Sequence, residues 1–180
     1  MFTTILIILA VIFVIVILFH IYSGFLSSVK ITERNIGPFT IVYREHRGDY
    51  NETGQVMDRI YSSLLKEEEI KTYKGIGIYY DDPESVDTDK LRSDIGAILE
   101  EEDHHRIDQL RDKYNIREYP VTHAMVTEFP YRNNFSVVAG VMRVYPRLDK
   151  YRIKQGYPKM PVMEIYDLPN KKIFYIHEIR

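Results

Sequence analysis

The chain has 180 residues, 45% hydrophobic and 28% charged, a composition that fits one globular domain and sets aside disordered or collagenous classes. Its 24 Lys and Arg stand against 26 Asp and Glu, and a net charge of -2 supplies no global attraction to nucleic acid, so no DNA or RNA partner is expected. The absence of cysteine excludes disulfides, thiolate catalysis and Cys-ligated zinc, while 15 tyrosines and no tryptophan supply rings that both pack and hydrogen-bond.

The run from Ile5 to Phe19 is apolar throughout, and the character continues through Ile21 and Tyr22 to Phe25 and Leu26; the first charged side chain is Lys30. That length reaches the roughly 20 residues a spanning helix needs. It predicts one transmembrane helix, with residues 5–26 in contact with the lipid bilayer, an anchor over residues 1–26 and a ligand-binding domain over 27–180. A cleaved signal peptide is the competing reading, but it wants a basic residue ahead of the apolar run, and Met1 to Thr4 carry none. Lys30, Arg34, Arg44 and Arg47 all follow the span, which predicts an amino terminus outside and a cytosolic domain. The membrane would be the endoplasmic reticulum in a eukaryote and the inner membrane in a bacterium. The triplets Asn51-Glu52-Thr53 and Asn134-Phe135-Ser136 would accept glycans only if the domain faced a secretory lumen.

Beyond the anchor, Asn35 to Pro38 form a turn, and Phe39, Ile41 and Tyr43 alternate with Thr40, Val42 and Arg44 as a strand with one apolar face. Val56, Met57, Ile60, Leu64 and Leu65 recur at helical spacing, with Asn51 or Thr53 as candidate cap. Lys74 to Tyr80 alternate again up to Asp82-Pro83, and Leu91 to Leu99 form a further apolar strand. The order is β-α-β-β, and the second half repeats it in outline. A short helix with Ile107 and Leu110 precedes a strand at Val121 to Phe129; Val137 to Leu148 predict a long helix that Pro146 either kinks or ends; strands at Val162 to Tyr166 and Lys172 to Ile176 follow, joined at Pro169-Asn170. The expected class is α+β with a mostly antiparallel sheet, preceded by one transmembrane helix.

Tyr43-Arg44-Glu45-His46-Arg47-Gly48-Asp49-Tyr50, Gly77-Ile78-Tyr79-Tyr80-Asp81-Asp82-Pro83, Leu91-Arg92-Ser93-Asp94-Ile95-Gly96 and Pro161-Val162-Met163-Glu164-Ile165-Tyr166, in this order and spacing, resemble the GyrI-like small-molecule-binding domains. Within that superfamily the set is most similar to the membrane-anchored, testis-expressed ER-phagy receptor branch, through Tyr50-Asn51-Glu52-Thr53-Gly54, Phe129-Pro130-Tyr131 and an anchor ending in Tyr22-Ser23-Gly24. The resemblance implies a duplicated β-α-β-β fold whose halves enclose a groove. The receptor branch carries a disordered tail with an aromatic-x-x-aliphatic segment that pairs with autophagy ubiquitin-like proteins, whereas this sequence ends at Arg180. The local matches Tyr61-Ser62-Ser63-Leu64 and Phe39-Thr40-Ile41-Val42 fall in elements whose apolar residues the core needs. The expected function is therefore a single-pass membrane-anchored ligand-binding or adaptor protein, reticulophagy-related but without that tail. A GyrI-like hydrolase acting on reactive small molecules is the alternative, and a membrane adaptor whose groove holds a peptide is a third reading.

Glu164 alternates with Met163 and Ile165 and so points to the opposite face of its strand. In the GyrI-like proteins the matching acid lines the groove and meets cationic or polar ligands; a solvated glutamate on the outer sheet face is the competing reading. Tyr43, Tyr80 and Tyr166, with Tyr175 after them, are the candidate groove walls around a cationic or amphipathic small molecule or peptide. A carboxylate walled by tyrosines would be partly desolvated, and a cation over the rings would restore charge balance. No catalytic residue, metal ligand or cofactor is assigned. Asp81, Asp82 and Glu84 flank a turn proline, His104 and His105 open a helix without a third ligand, and Gly75-Ile76-Gly77 lacks the rest of a nucleotide fingerprint.

Overall fold

The computed structural model describes residues 2–179. Helix α1 (Phe2–Tyr22) buries none of its side chains. At 1.5 Å per residue its 21 residues extend about 30 Å, the thickness of a bilayer core.

The rest is built on one antiparallel sheet of eight strands: β1 (Ile31–Ile36), β2 (Phe39–Arg47), β3 (Lys74–Tyr79), β4 (Arg92–Leu99), β5 (Asn115–Tyr119), β6 (Thr122–Pro130), β7 (Val162–Asp167) and β8 (Lys172–Glu178). Their order across the sheet is β1-β6-β8-β7-β3-β4-β2-β5. With helices α2 (Thr53–Glu67) and α4 (Asn134–Gln155), this resolves into two units, β2-α2-β3-β4 and β6-α4-β7-β8, that meet at the central β3/β7 pair. The short α3 (Ile107–Leu110) lies in the connection between them. The duplicated β-α-β-β fold expected from the sequence is the one observed.

Strands β1 and β5 escape the periodicity. β1 leaves four of its six residues exposed and β5 has no fully buried residue, so neither alternates clearly between polar and apolar. Each precedes one unit in the chain yet pairs with the other unit, β1 with β6 and β5 with β2. Only Gly37 and Pro38 separate β1 from β2, although these strands stand near opposite ends of the sheet order, and a similarly short link joins β5 to β6. The sheet must therefore curl until its ends approach. Gly37 has φ of 83°, and a Cβ there would lie 2.9 Å from the Pro120 carbonyl oxygen, so the two linkers touch and glycine is required where they do.

Curling gives the sheet an inner face and a helix-covered face. Ile41, Ile76, Ile78, Ile98, Val126, Met163, Ile165 and Ile176 pack on the inner face. On the other, Ile60 and Leu64 of α2 pack on Val42, Ala97 and Leu99, and Ala139, Val144 and Leu148 of α4 pack on Met125, Phe129 and Ile173. Helix α4 carries Pro146 within it and continues to Gln155, where Gly156 turns left-handed and ends it.

Candidate functional site

Met163 and Ile165 fill the inner face, and the two-residue period of β7 sends Glu164 and Tyr166 to the helix side. There Glu164 sits at the junction of the two units, paired in register with Gly77 of β3 on one side and Tyr175 of β8 on the other. It is 2% exposed. The Tyr145 hydroxyl, reaching down from α4, donates to Oε1 at 2.7 Å, and that of Tyr166 donates to Oε2 at 2.5 Å, the short lengths of hydroxyl-to-carboxylate bonds. The Tyr79 ring folds back over Gly77, where a Cβ would come within 2.9 Å of it, and its hydroxyl lies 3.3 Å from Thr53 Oγ1 at the start of α2. Tyr145 and Tyr175 meet edge to face with centroids 5.8 Å apart, and Tyr131 packs likewise on Tyr166 at the same separation.

Among the described residues Glu164 has no salt bridge. Burial pushes its carboxyl above the usual range, against the opposing pull of the Tyr166 and Tyr145 hydrogen bonds. Burial first, and the Glu164 charge second, raise the hydroxyls of Tyr79, Tyr145, Tyr166 and Tyr175, so these groups stay protonated. A carboxyl buried among tyrosine rings, without a positively charged partner among the described residues, is costly to ionise where it stands.

Of the candidate residues taken from sequence, Glu164 and Tyr166 are brought together, while Tyr43 and Tyr80 lie on the inner face. There Tyr80 donates to Asp94 Oδ2 at 2.6 Å, Arg117 pairs with Asp94 at 2.8 Å and donates to the Tyr43 hydroxyl at 2.8 Å, and the Arg117 guanidinium stacks 4.7 Å from the Tyr43 ring centroid. Beside this cluster is a cavity of about 250 Å³ lined by Tyr80, Arg117, Tyr119, Met160, Met163 and Glu178. Burial, then the Glu178 carboxylate it hydrogen-bonds, raises the Tyr119 hydroxyl. Tyr79 and Tyr80 are chain neighbours and therefore face opposite sides; the one on the Glu164 side is Tyr79. The sequence held no signal for that choice, because the face shared with Glu164 depends on the register of β3 against β7. Tyr145 had none, because its helix meets β7 only in the folded chain.

A family model described as the GyrI-like small molecule binding domain matches residues 29–172. The human testis-expressed protein 264 is 30% identical over 176 residues, covering 88% of this chain and 54% of that protein, and the mouse homolog is 28% identical. The chain thus spans about half the length of the curated relatives it matches. Among solved structures, the EcmrR C-terminal domain superposes with a TM-score of 0.58 at 9% identity, covering 84% of this chain and 98% of that one. SAV2435 bound to tetraphenylphosphonium superposes with a TM-score of 0.56 at 10% identity, covering 84% and 94%. At these identities the likeness is one of fold. An EcmrR–DNA complex also matches, with a TM-score of 0.59 at 11% identity, covering 84% of this chain and 57% of that one. The expectation that charge balance excludes nucleic acid is thereby corrected: this fold occurs in a chain solved with DNA. Net charge sums over one domain's surface and measures only its own non-specific pull on phosphates, which sets no limit on the assemblies in which the fold serves.

Proposed function

The chain belongs to the GyrI-like small-molecule-binding family, and on that premise we propose that it is a single-pass membrane-anchored receptor whose Glu164 cage takes an organic cation or cationic amphiphile. The observation that carries this reading is the buried Glu164 carboxyl, hydrogen-bonded by two tyrosines and matched by no positive charge. A cation admitted there would neutralise the carboxylate and lie against Tyr79, Tyr145, Tyr166 and Tyr175, both favourable. Because Tyr145 covers the carboxyl from α4, entry requires that ring, and the turn of helix bearing it, to move aside.

Residues 1–26 serve in this reading as the anchor and 27–180 as the receptor domain, on the cytosolic side. Support comes from the unburied apolar α1 and from Lys30, Arg34, Arg44 and Arg47 following it. The resemblance of its motifs to the testis-expressed ER-phagy receptor branch is the ground for placing it in the endoplasmic reticulum membrane and for a reticulophagy-related adaptor role of the whole protein, and the 30% identity to testis-expressed protein 264 agrees with that branch. Asn51 and Asn134 should stay unglycosylated when the chain is made in microsomes; a glycan on either would put the domain in the lumen and overturn this topology.

The test of the site is a titration of the full chain in detergent with tetraphenylphosphonium, the cation bound in the SAV2435 structure. Glu164→Gln keeps the shape and removes the charge, so affinity should fall by about 1 to 3 kcal/mol, roughly 5- to 150-fold. Equal affinity in wild type and variant would sink Glu164 as the anchoring group.

A further inference from the structure

Helix α4 does two things with its outward face. Over its first three turns that face is Phe135, Val138, Val141 and Met142, exposed by 54, 49, 45 and 64%. After Pro146 it turns mostly charged, with Arg147, Asp149, Lys150 and Lys154, and among the described residues Ile153 is the one large apolar side chain exposed there. A helix on a water-facing surface carries its polar residues outward along its whole length. The first half of α4 is instead apolar on both sides, since Ala139 and Val144 are fully buried on the other face.

The start of this half, and the turn just before it, meet the end of α1. The Phe135 and Phe19 rings meet edge to face with centroids 5.1 Å apart. The Arg132 guanidinium donates to the Tyr22 carbonyl and stacks on its ring, Asn133 donates to Ser23, and Arg143 donates to the Ser27 carbonyl. Phe135 is thus held level with Phe19, three residues inside the end of α1, which at 1.5 Å per residue is about 4.5 Å. An interfacial helix buries its apolar face about 5 to 10 Å into the boundary between headgroups and acyl chains. Next to it a cavity of about 390 Å³ is lined by Tyr22, Arg132 and Lys171, which puts cationic side chains at headgroup level.

We propose that the first half of α4, Phe135 to Met142, lies in the membrane interface, so that its Phe135–Val138–Val141–Met142 stripe is covered by lipid. The proposal rests on reading α1 as a membrane span. It gives the cation site a location as well: the helix supplying Tyr145 to Glu164 is the one seated on the bilayer, within reach of amphiphiles concentrated there.

The chain lacks cysteine, so single-cysteine variants of the full protein can be labelled cleanly. Val14→Cys in α1, Val138→Cys and Met142→Cys on the stripe, and Lys150→Cys beyond Pro146 would each receive an environment-sensitive fluorophore, with the protein in phosphatidylcholine vesicles containing phosphatidylserine. The substituted stripe positions are exposed, so the fold does not depend on them. Labels at 14, 138 and 142 should be blue-shifted and quenched by lipids carrying a doxyl group high on the acyl chain, while the label at 150 should be quenched by aqueous iodide. If the label at 14 is lipid-quenched and those at 138 and 142 behave like the one at 150, the interfacial helix is wrong and the span stands. Labels at 138 and 142 that neither quencher reaches would show cover by protein and overturn the proposal equally. A label at 14 that lipid does not quench would overturn the span and this inference together.

Discussion

Glu164 is held by phenols alone, and this makes its titration a measurable signature. Its folded carboxyl titrates above the unfolded one, so as pH falls the folded chain takes up the proton first. The corresponding stability is fully present below the unfolded value near pH 4 and is lost as pH rises through the raised folded value. In urea unfolding, Glu164→Gln, which cannot titrate, should therefore gain on the wild type with rising pH and then keep a constant margin; a margin independent of pH would contradict the burial argument. Cation affinity should move the other way. Only the carboxylate attracts the ligand, so wild-type affinity for tetraphenylphosphonium should rise with pH, by at most about tenfold per pH unit for one released proton, and level off above the raised value. Across the sheet, Asp94 is 5% exposed and paired with Arg117. Arg117→Met would strand that carboxylate and should cost about 2 to 4 kcal/mol in urea unfolding, short of the full range for a buried pair because Arg117 is itself partly solvated.

Helix α4 approaches the sheet closely only because Gly140 has no side chain: a Cβ there would overlap the Tyr175 hydroxyl and ring. Alanine would add about 1 kcal/mol of helix propensity, but overpacking costs about 1 to 3 kcal/mol, so Gly140→Ala should be net destabilising. The Tyr175 hydroxyl is buried without a hydrogen bond among the described residues, so Tyr175→Phe should be tolerated alone and should return part of the loss in the double variant. Additive melting-temperature changes for the pair would argue against the contact. The helices α2 and α4 were legible from their apolar spacing, the strands β2, β3 and β7 from alternation, and β4, β6 and β8 as apolar runs bounded by turns. The edge strands β1 and β5 were not, since Ile31–Ile36 and Asn115–Tyr119 are polar and take their strand conformation from the ladders they complete.

At the scale of the whole molecule, the connection after α1 is already part of the folded domain. Ser23 is fully buried and accepts from Asn133, and Phe25 and Val29 pack on the α4 core. A chain beginning at Ser23 should therefore outlast one beginning at Ser27 in urea by about 1 kcal/mol, the value of a partly buried aromatic ring. Equal midpoints would mean that Phe25 is held in place only when α1 is attached.

What the sequence determined by itself was local: the apolar α1, the order β-α-β-β, and the alternation that turns Glu164 away from Met163 and Ile165. Each follows from residues a few positions apart, where the 3.6- and two-residue periods dictate direction. The companions of Glu164 were decided elsewhere. Whether Tyr79 or Tyr80 shares its face depends on the register of β3 against β7; Tyr43 shares a face with Tyr80 because β2 and β3 both flank β4; and Tyr145 arrives on a helix that crosses over from β6. Direction is a property of one strand, but proximity accumulates every register and connection between two strands, and only the curled sheet settles that sum.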